Sequence, residues 1–318
     1  MSRPKALVTA PFRGPGTETL ESVADVVYEP WIEHTPLKLL DADALAARIT
    51  EVGAELVVCE ADSCKGPVLD LPLRAIGSTR GDPTNVDVEG ATAKGIPVLH
   101  APGRNADGVA ELAVGLLLAV TRGIVPADGD VRNGTVYDGG TIPYQRYRAW
   151  QVAGQTAGIV GLGSVGRAAA WRFEGLGMKV ISVDPYNDAA THELDDLLAE
   201  SDVVSLHLVL SRRSRGTIGH RELALMKPTA WLVNTSRGPL CEEDALLEAV
   251  RTGVIAGAAL DVFDVEPLPA DHPFRTEPNV IATPHIGYVT STGHAFRYAA
   301  AVEDVVAFLD GSPVRVLT

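Results

Sequence analysis

Three cysteines, Cys59, Cys64 and Cys241, are too few and too unevenly spaced to frame a disulfide-bonded domain or a zinc site. They are expected to be reduced, buried thiols in a cytoplasmic protein. Basic residues are also short. Lys and Arg number 27 against 41 Asp and Glu, and the net charge of −14 disfavours a nucleic-acid or anionic-membrane partner. No uninterrupted apolar run reaches about 18 residues, and no basic-then-apolar leader opens the chain, so neither a spanning helix nor an export signal is expected. Repeats of solenoid period and low-complexity segments are absent too. What remains is 318 residues, 46% hydrophobic and 21% charged, which fits a soluble globular protein with room for two domains.

The chain is organised around residues 157–184, AGIVGLGSVGRAAAWRFEGLGMKVISVD. A short apolar run leads into Gly161, Gly163 and Gly166 in the spacing G-x-G-x-x-G, then a helical segment and a second apolar run ending on Asp184. Gly161 permits a sharp turn off the strand, Gly163 a close backbone approach to a pyrophosphate, and Gly166 tight packing of helix on strand. Ser164 and Val165 open the helix, whose first N–H groups face the phosphate charge. Asp184 stands where a carboxylate accepts both ribose hydroxyls. Strand, glycine loop, helix, second strand and acid occur in order, which makes the pattern a dinucleotide site rather than a stray glycine turn.

Residues 1 to about 100 alternate apolar runs (6–9, 26–28, 55–59, 73–77 and 96–100) with polar helical stretches. One of these, residues 41–52, carries Leu45, Ala46 and Ile49 on one face. Such alternation predicts parallel βαβ units and a small open sheet. The turn-rich loop 78–83 ends one strand, where open sheets take ligands, so Arg80 is a candidate anion ligand as well as a candidate solvated side chain. Residues 105–121 are helical and apolar nearly all round, which places that helix between domains or between subunits. Residues 126–151 read as a long polar loop with Tyr137, Tyr144, Tyr147, Trp150, Arg146 and Arg148, expected to be an interface arm.

From residue 157 the strand signal recurs six times, at 157–162, 179–183, 203–210, 230–233, 256–260 and 280–282, predicting a doubly wound sheet. The residues on which these strands end carry the chemistry. The third passes His207, placed inside an apolar strand and packed near the cofactor. The fourth runs into Asn234, Thr235, Ser236 and Arg237; the fifth reaches Asp261 and then Glu266; the sixth gives His285. A hydride transfer to a 2-oxo acid needs a proton donor, and histidine titrates near working pH. A carboxylate orients that imidazole, and an arginine binds the substrate carboxylate or polarises its carbonyl. His285, Glu266 and Arg237 take these roles.

The same residues resemble the D-isomer-specific 2-hydroxyacid dehydrogenases. The matching signatures are GIVGLGSVG at 158–166, LGMKVISVDPY at 176–186, LVNTSRGP at 232–239, GAALDVFDVEP at 257–267 and TPHIG at 283–287. Asn85-Val-Asp87 and Val109-Ala-Glu111 extend the likeness over nearly the whole chain. The resemblance implies a Rossmann-type doubly wound sheet with a second, smaller flavodoxin-like α/β domain. The substrate domain is expected to be discontinuous, 1–101 with 288–318, and the dinucleotide-binding domain to be 102–287, with a dimerisation arm at about 122–151. It further implies that Arg237, Glu266 and His285 are catalytic, that Asp261 holds the nicotinamide carboxamide, and that Thr235 and Gly287 lie against the cofactor. A homodimer is the family's habit, and no appended regulatory domain is expected before Thr318.

NAD is expected over NADP, because Asp184 repels a 2′-phosphate and Pro185-Tyr186 supplies no arginine beside it. Glyoxylate, hydroxypyruvate and 3-phosphoglycerate are candidate substrates. Where the family has a glycine-rich substrate loop, this chain has STRGDP at 78–83, which makes Arg80 and Gly81 substrate-binding candidates. Tyr288 replaces a small family residue, and the contacts of Arg80, Arg104 and Tyr288 bear on which acid is used. The alternatives are a dinucleotide-sensing, corepressor-like protein, or a formate- or phosphite-type dehydrogenase on the same scaffold.

Overall fold

The structure, a computed structural model, describes residues 3–11, 13–103, 105–149, 151–312 and 316–317. Among the described residues twelve strands follow one another: β1 (Lys5–Val8), β2 (Asp25–Tyr28), β3 (Leu56–Cys59), β4 (Ala75–Ser78), β5 (Val98–Leu99), β6 (Thr156–Val160), β7 (Lys179–Val183), β8 (Val203–Leu206), β9 (Trp231–Asn234), β10 (Gly257–Leu260), β11 (Val280–Ala282) and β12 (Val316–Leu317). The chain divides into two compact units, Met1–Asn105 with Thr290–Thr318, and Ala106–Val289.

The first unit is a sheet of order β12-β5-β4-β3-β1-β2, parallel except for the antiparallel edge strand β12. Its strands are apolar on both faces, as a sheet covered on both sides requires. Leu7, Val57, Ile76 and Val98 point to one side, where the Ala42–Val52 helix lays down Leu45, Ala46 and Ile49. Asp41 caps that helix by accepting from Ala44 N at 2.9 Å, and Gly53 ends it in the left-handed region. Burying Leu45 and Ile49 stabilises the unit by about 1.5–3 kcal/mol each. Ala6, Val8, Leu56, Val58 and Leu99 point to the opposite side, against Leu20 and against Tyr298, Val302 and Val305 of the Ser291–Leu309 helix.

The second unit repeats the plan as a parallel sheet of order β11-β10-β9-β8-β6-β7. Both sheets reverse their winding beside the first strand, and that reversal opens a crevice at the carboxyl edge. Val160, Val204, Leu206, Leu232 and Leu260 meet helices on one face, while Ala157, Ile159, Val203, Val233 and Ala259 meet helices on the other.

Three expectations change. The apolar helix, Ala106–Thr121, is not reserved for an interface between domains or subunits. It buries Ala110, Ala113, Leu116 and Leu117 within its own unit, in the core that holds Ala169 and Phe173 of the Ser164–Gly175 helix. Arg172 fastens the two helices through Asp107 at 2.9 Å and Glu111 at 3.3 Å. The stretch 126–151 is not a plain loop either. Its first part is the Ile124–Asn133 helix, bounded by left-handed glycines at 123 and 134, and a Pro143–Arg146 turn of helix follows. Asp130 gathers that segment by accepting from Thr135, Arg146 and Tyr147. The hydrogen bonds from Tyr147 and Thr135, with the Arg146 charge, hold its carboxyl below the usual carboxylate range. Finally, the strand read as 203–210 stops at Leu206, so His207 lies just outside it. Trp150 and Arg104 lie outside the described residues. No single described helix is long and apolar enough to cross a membrane.

Candidate active site

The glycine loop leaves β6 at the reversal of strand order. Gly161 has φ +97°, and a Cβ there would stand 2.7 Å from the His207 carbonyl oxygen. At Gly166 a Cβ would fall 1.9 Å from the Gly161 carbonyl oxygen, so only glycine lets the helix close on the strand. Gly163 differs. A Cβ there meets no protein atom within 4 Å, so the space beside it is left for something else. Ser164 begins the helix whose N-terminus borders that space, with Val165 next in its first turn. Asp184 is partly engaged already: its Oδ2 accepts from Leu162 N at 2.8 Å and its Oδ1 from Tyr186 N at 2.9 Å. The second lone pair on each oxygen remains available for a ribose diol.

Beside this loop stand β8 and β9. His207 is buried, and burial pushes its imidazole down to about 4, so it works as a neutral ring. Its Nε2 lies 2.9 Å from Ser205 Oγ, while its buried Nδ1 has no partner among the described residues. Thr235 Oγ1 is likewise buried and without a partner among the described residues. Buried polar atoms are normally satisfied. Two orphans on neighbouring strand ends, with the open space at Gly163 and the pinned Asp184, fit a bound dinucleotide.

The remaining strand ends bring together the candidate reactive groups. Asn234 Oδ1 accepts from Ser236 N at 3.0 Å and its amide donates to the Arg237 carbonyl at 2.9 Å, folding the turn after β9. Arg237 emerges exposed and makes no ion pair among the described residues. Its Nη1 donates to the Ser236 carbonyl at 2.7 Å, leaving the rest of the guanidinium fork for an anion. Glu266 Oε1 accepts from Phe263 N at 3.0 Å, and its Oε2 lies 2.7 Å from His285 Nδ1. That contact fixes the ring orientation and tautomer and leaves Nε2 to face a reactant. His285 itself is held at φ +54°, which is uncommon for a residue with a side chain. Tyr288 meets its ring edge-on, centroids 5.5 Å apart.

Asp261, expected to hold the nicotinamide carboxamide, is fully buried and occupied by its own surroundings. Oδ1 accepts from Thr283 Oγ1 at 2.6 Å and Ile286 N at 2.9 Å, and Oδ2 accepts from Gly287 N at 2.8 Å. Its carboxylate thus holds the Thr283 hydroxyl before His285 and two backbone amides after it, which accounts for the strained φ being maintained. Gly287, expected beside the cofactor, is one of the clamped amides. Asn234, Ser236 and Thr283 stand at strand ends in the sequence but were given no role there. Asn234 carries a signal, since Asn and Ser at a strand end favour such turns; Thr283 carries none.

In the other unit the loop after β4 places Arg80 with Nη1 3.0 Å from Thr84 Oγ1. Gly81 packs so tightly that a Cβ would lie 3.2 Å from Pro102 Cα, and its carbonyl meets His100 Nδ1 at 3.0 Å.

A glycine loop before a helix, an acid on the second strand and a histidine–glutamate pair with an unpaired arginine on the same carboxyl edge define a nicotinamide-dependent dehydrogenase. The model of the D-isomer specific 2-hydroxyacid dehydrogenase NAD binding domain matches residues 114–287. The chain is 37% identical to a glyoxylate reductase of Thermofilum pendens, over 98% of this chain and 93% of that one. It is 35% identical to a D-3-phosphoglycerate dehydrogenase of Methanocaldococcus jannaschii over 96% of this chain, though it spans only 58% of that protein. Among solved structures, a Polaromonas sp. JS6 66 protein described as a D-isomer specific 2-hydroxyacid dehydrogenase superposes with TM-score 0.86 at 27% identity, covering 100% of both chains. The chain belongs to the D-isomer-specific 2-hydroxyacid dehydrogenase family and is an NAD-dependent oxidoreductase acting on 2-hydroxy acids.

Proposed function

We propose that the protein reduces a small 2-oxo acid of the glyoxylate or hydroxypyruvate kind, or oxidises 3-phosphoglycerate in the reverse sense, with Arg237, Glu266 and His285 as the catalytic set. The observation that carries this reading is the His285–Glu266 contact of 2.7 Å on the same sheet edge as the glycine loop. Bound NADH supplies the hydride. Gly161, Gly163, Ser164, Val165, Gly166, Asp184, His207, Thr235, Asp261, His285 and Gly287 are the proposed cofactor-binding positions, Asp261 acting through the loop it clamps. His285 gives a proton from Nε2 to the carbonyl oxygen while Glu266 holds Nδ1, and Arg237 takes the substrate carboxylate. Arg80 and Gly81 are proposed as further substrate ligands. Steady-state reduction of a 2-oxo acid panel with NADH and NADPH tests this. Turnover of glyoxylate or hydroxypyruvate with NADH preferred is expected; binding of NADH with no turnover of any acid would remove the reading.

The working form is proposed to be a cytoplasmic homodimer joined through the arm at 122–151. Ile124, Val125, Val131, Tyr137, Ile142 and Tyr144 of that arm are exposed, Val131 at 70% and Tyr144 at 88%, more apolar surface than a solvated arm needs. Light scattering after size exclusion should give a dimer that Val131→Asp with Tyr144→Asp converts to monomer.

A further inference from the structure

A second set of charged groups is buried in the first unit and plays no part in the chemistry above. Glu60 follows β3, Thr79 follows β4, and Arg297 lies on the Ser291–Leu309 helix. Glu60 and Arg297 are each 7% exposed and Thr79 is 2% exposed. Arg297 Nη2 lies 3.4 Å from Glu60 Oε1. Both partners also seize Thr79: Arg297 Nε donates to its carbonyl at 2.9 Å, and its hydroxyl donates to Glu60 Oε2 at 2.9 Å. The Thr79 amide donates to the Cys59 carbonyl at 3.0 Å. Every polar group of this one residue is therefore fixed.

A buried ion pair contributes little net stability, because taking two charges out of water offsets their attraction. This pair does something else. It clamps the residue immediately before Arg80, at the carboxyl edge of the sheet, through a contact spanning 218 positions of sequence. Beyond Thr79 the loop is pinned more lightly, by Ala101 N donating to the Arg80 carbonyl and by His100 at the Gly81 carbonyl.

We infer that Arg297 and Glu60 are positioning residues for substrate binding, acting through Thr79 on the Arg80–Gly81 loop. The inference rests on the reading of that loop as a substrate ligand. The double substitution Glu60→Gln with Arg297→Met removes both charges together and keeps the volume. It should raise KM for glyoxylate, or for the best acid of the panel, by about tenfold, with kcat and KM for NADH held within about twofold. Thr79→Val, which removes only the hydroxyl, should raise the same KM about threefold, and Thr79→Ser should restore it. Arg80→Met separates the two layers. If it raises KM while the folded double variant and Thr79→Val leave KM unchanged, the inference is overturned alone. If Arg80→Met leaves KM unchanged, the loop is no substrate ligand and both fall. Should the double variant fail to fold, Thr79→Val against Thr79→Ser decides.

Discussion

Both sheets run their strands in the same order, yet the loops leaving their carboxyl edges are built of different material. In the second unit the edge is made from backbone: glycines that admit close approach, amides clamped by Asp261, and a few side chains turned outward. In the first unit it is made from buried side chains, with Glu60, Thr79 and Arg297 locked together beneath one loop. A backbone-built edge is dictated locally and tolerates almost no added atom. A side-chain-built edge depends on groups brought from far along the chain and yields by degrees.

The largest effect expected on that contrast is chemical. His285→Ala should lower turnover by about 10²- to 10⁴-fold while NADH still binds, measured by stopped-flow reduction and fluorescence titration. Near-full turnover would remove His285 as the acid. Next come the glycines. Gly166→Ala puts a methyl 1.9 Å from the Gly161 carbonyl and should destabilise the protein by about 3 kcal/mol or more. Gly163→Ala meets no protein atom, so its melting temperature should hold while NADH affinity falls about tenfold. Equal effects of the two on stability would contradict a space kept open for a ligand. Asp261→Asn exchanges one clamping oxygen for a donor facing Gly287 N or Ile286 N. It should cost about 1–3 kcal/mol by denaturant titration and slow turnover as His285 loses its fixed backbone.

The last effect is spread over pH and is only partly developed at any pH where the protein is normally handled. His207 is pushed down from 6.5 to about 4 by burial. Between those values the unfolded chain binds a proton that the folded chain refuses, so stability is whole above about 6.5 and declines as pH falls towards 4. The decline amounts to roughly 3 kcal/mol at most. His207→Gln should flatten the difference in melting temperature between about pH 7.5 and pH 5. An unchanged slope would place that acid sensitivity elsewhere.

The contrast also explains what was legible in the sequence. The glycine loop, the six strands of the second unit and the placing of Arg237, Glu266 and His285 beyond their ends were visible because each is announced by its neighbours in the chain. His207 was read as mid-strand because Leu206 and Leu208 flank it, but β8 ends at Leu206 and the ring is buried past the last ladder position. Asp261 was read by resemblance as a cofactor ligand. Its three donors, Thr283, Ile286 and Gly287, lie more than twenty positions away, and no local pattern reports them. Residues 126–151 looked like loop because Pro, Gly and Asp abound, yet the Asp128–Arg132 pair and two left-handed glycines suffice to frame a helix. Arg297 gave no signal at all, since an arginine in a terminal helix ordinarily faces water.

The division of the chain has a consequence for how the molecule is made. Ala106–Val289 is a single stretch enclosed by the two segments of the other unit. A ribosome therefore delivers every strand of the second sheet before it delivers Arg297. Until then Glu60 has been synthesised without the cation that accompanies it in the finished protein, and the face of β1, β3 and β4 that meets Tyr298 and Val302 is covered only in part, from the side of Leu20. The nascent chain thus acquires the means to hold a dinucleotide first, and the means to set the Arg80 loop last.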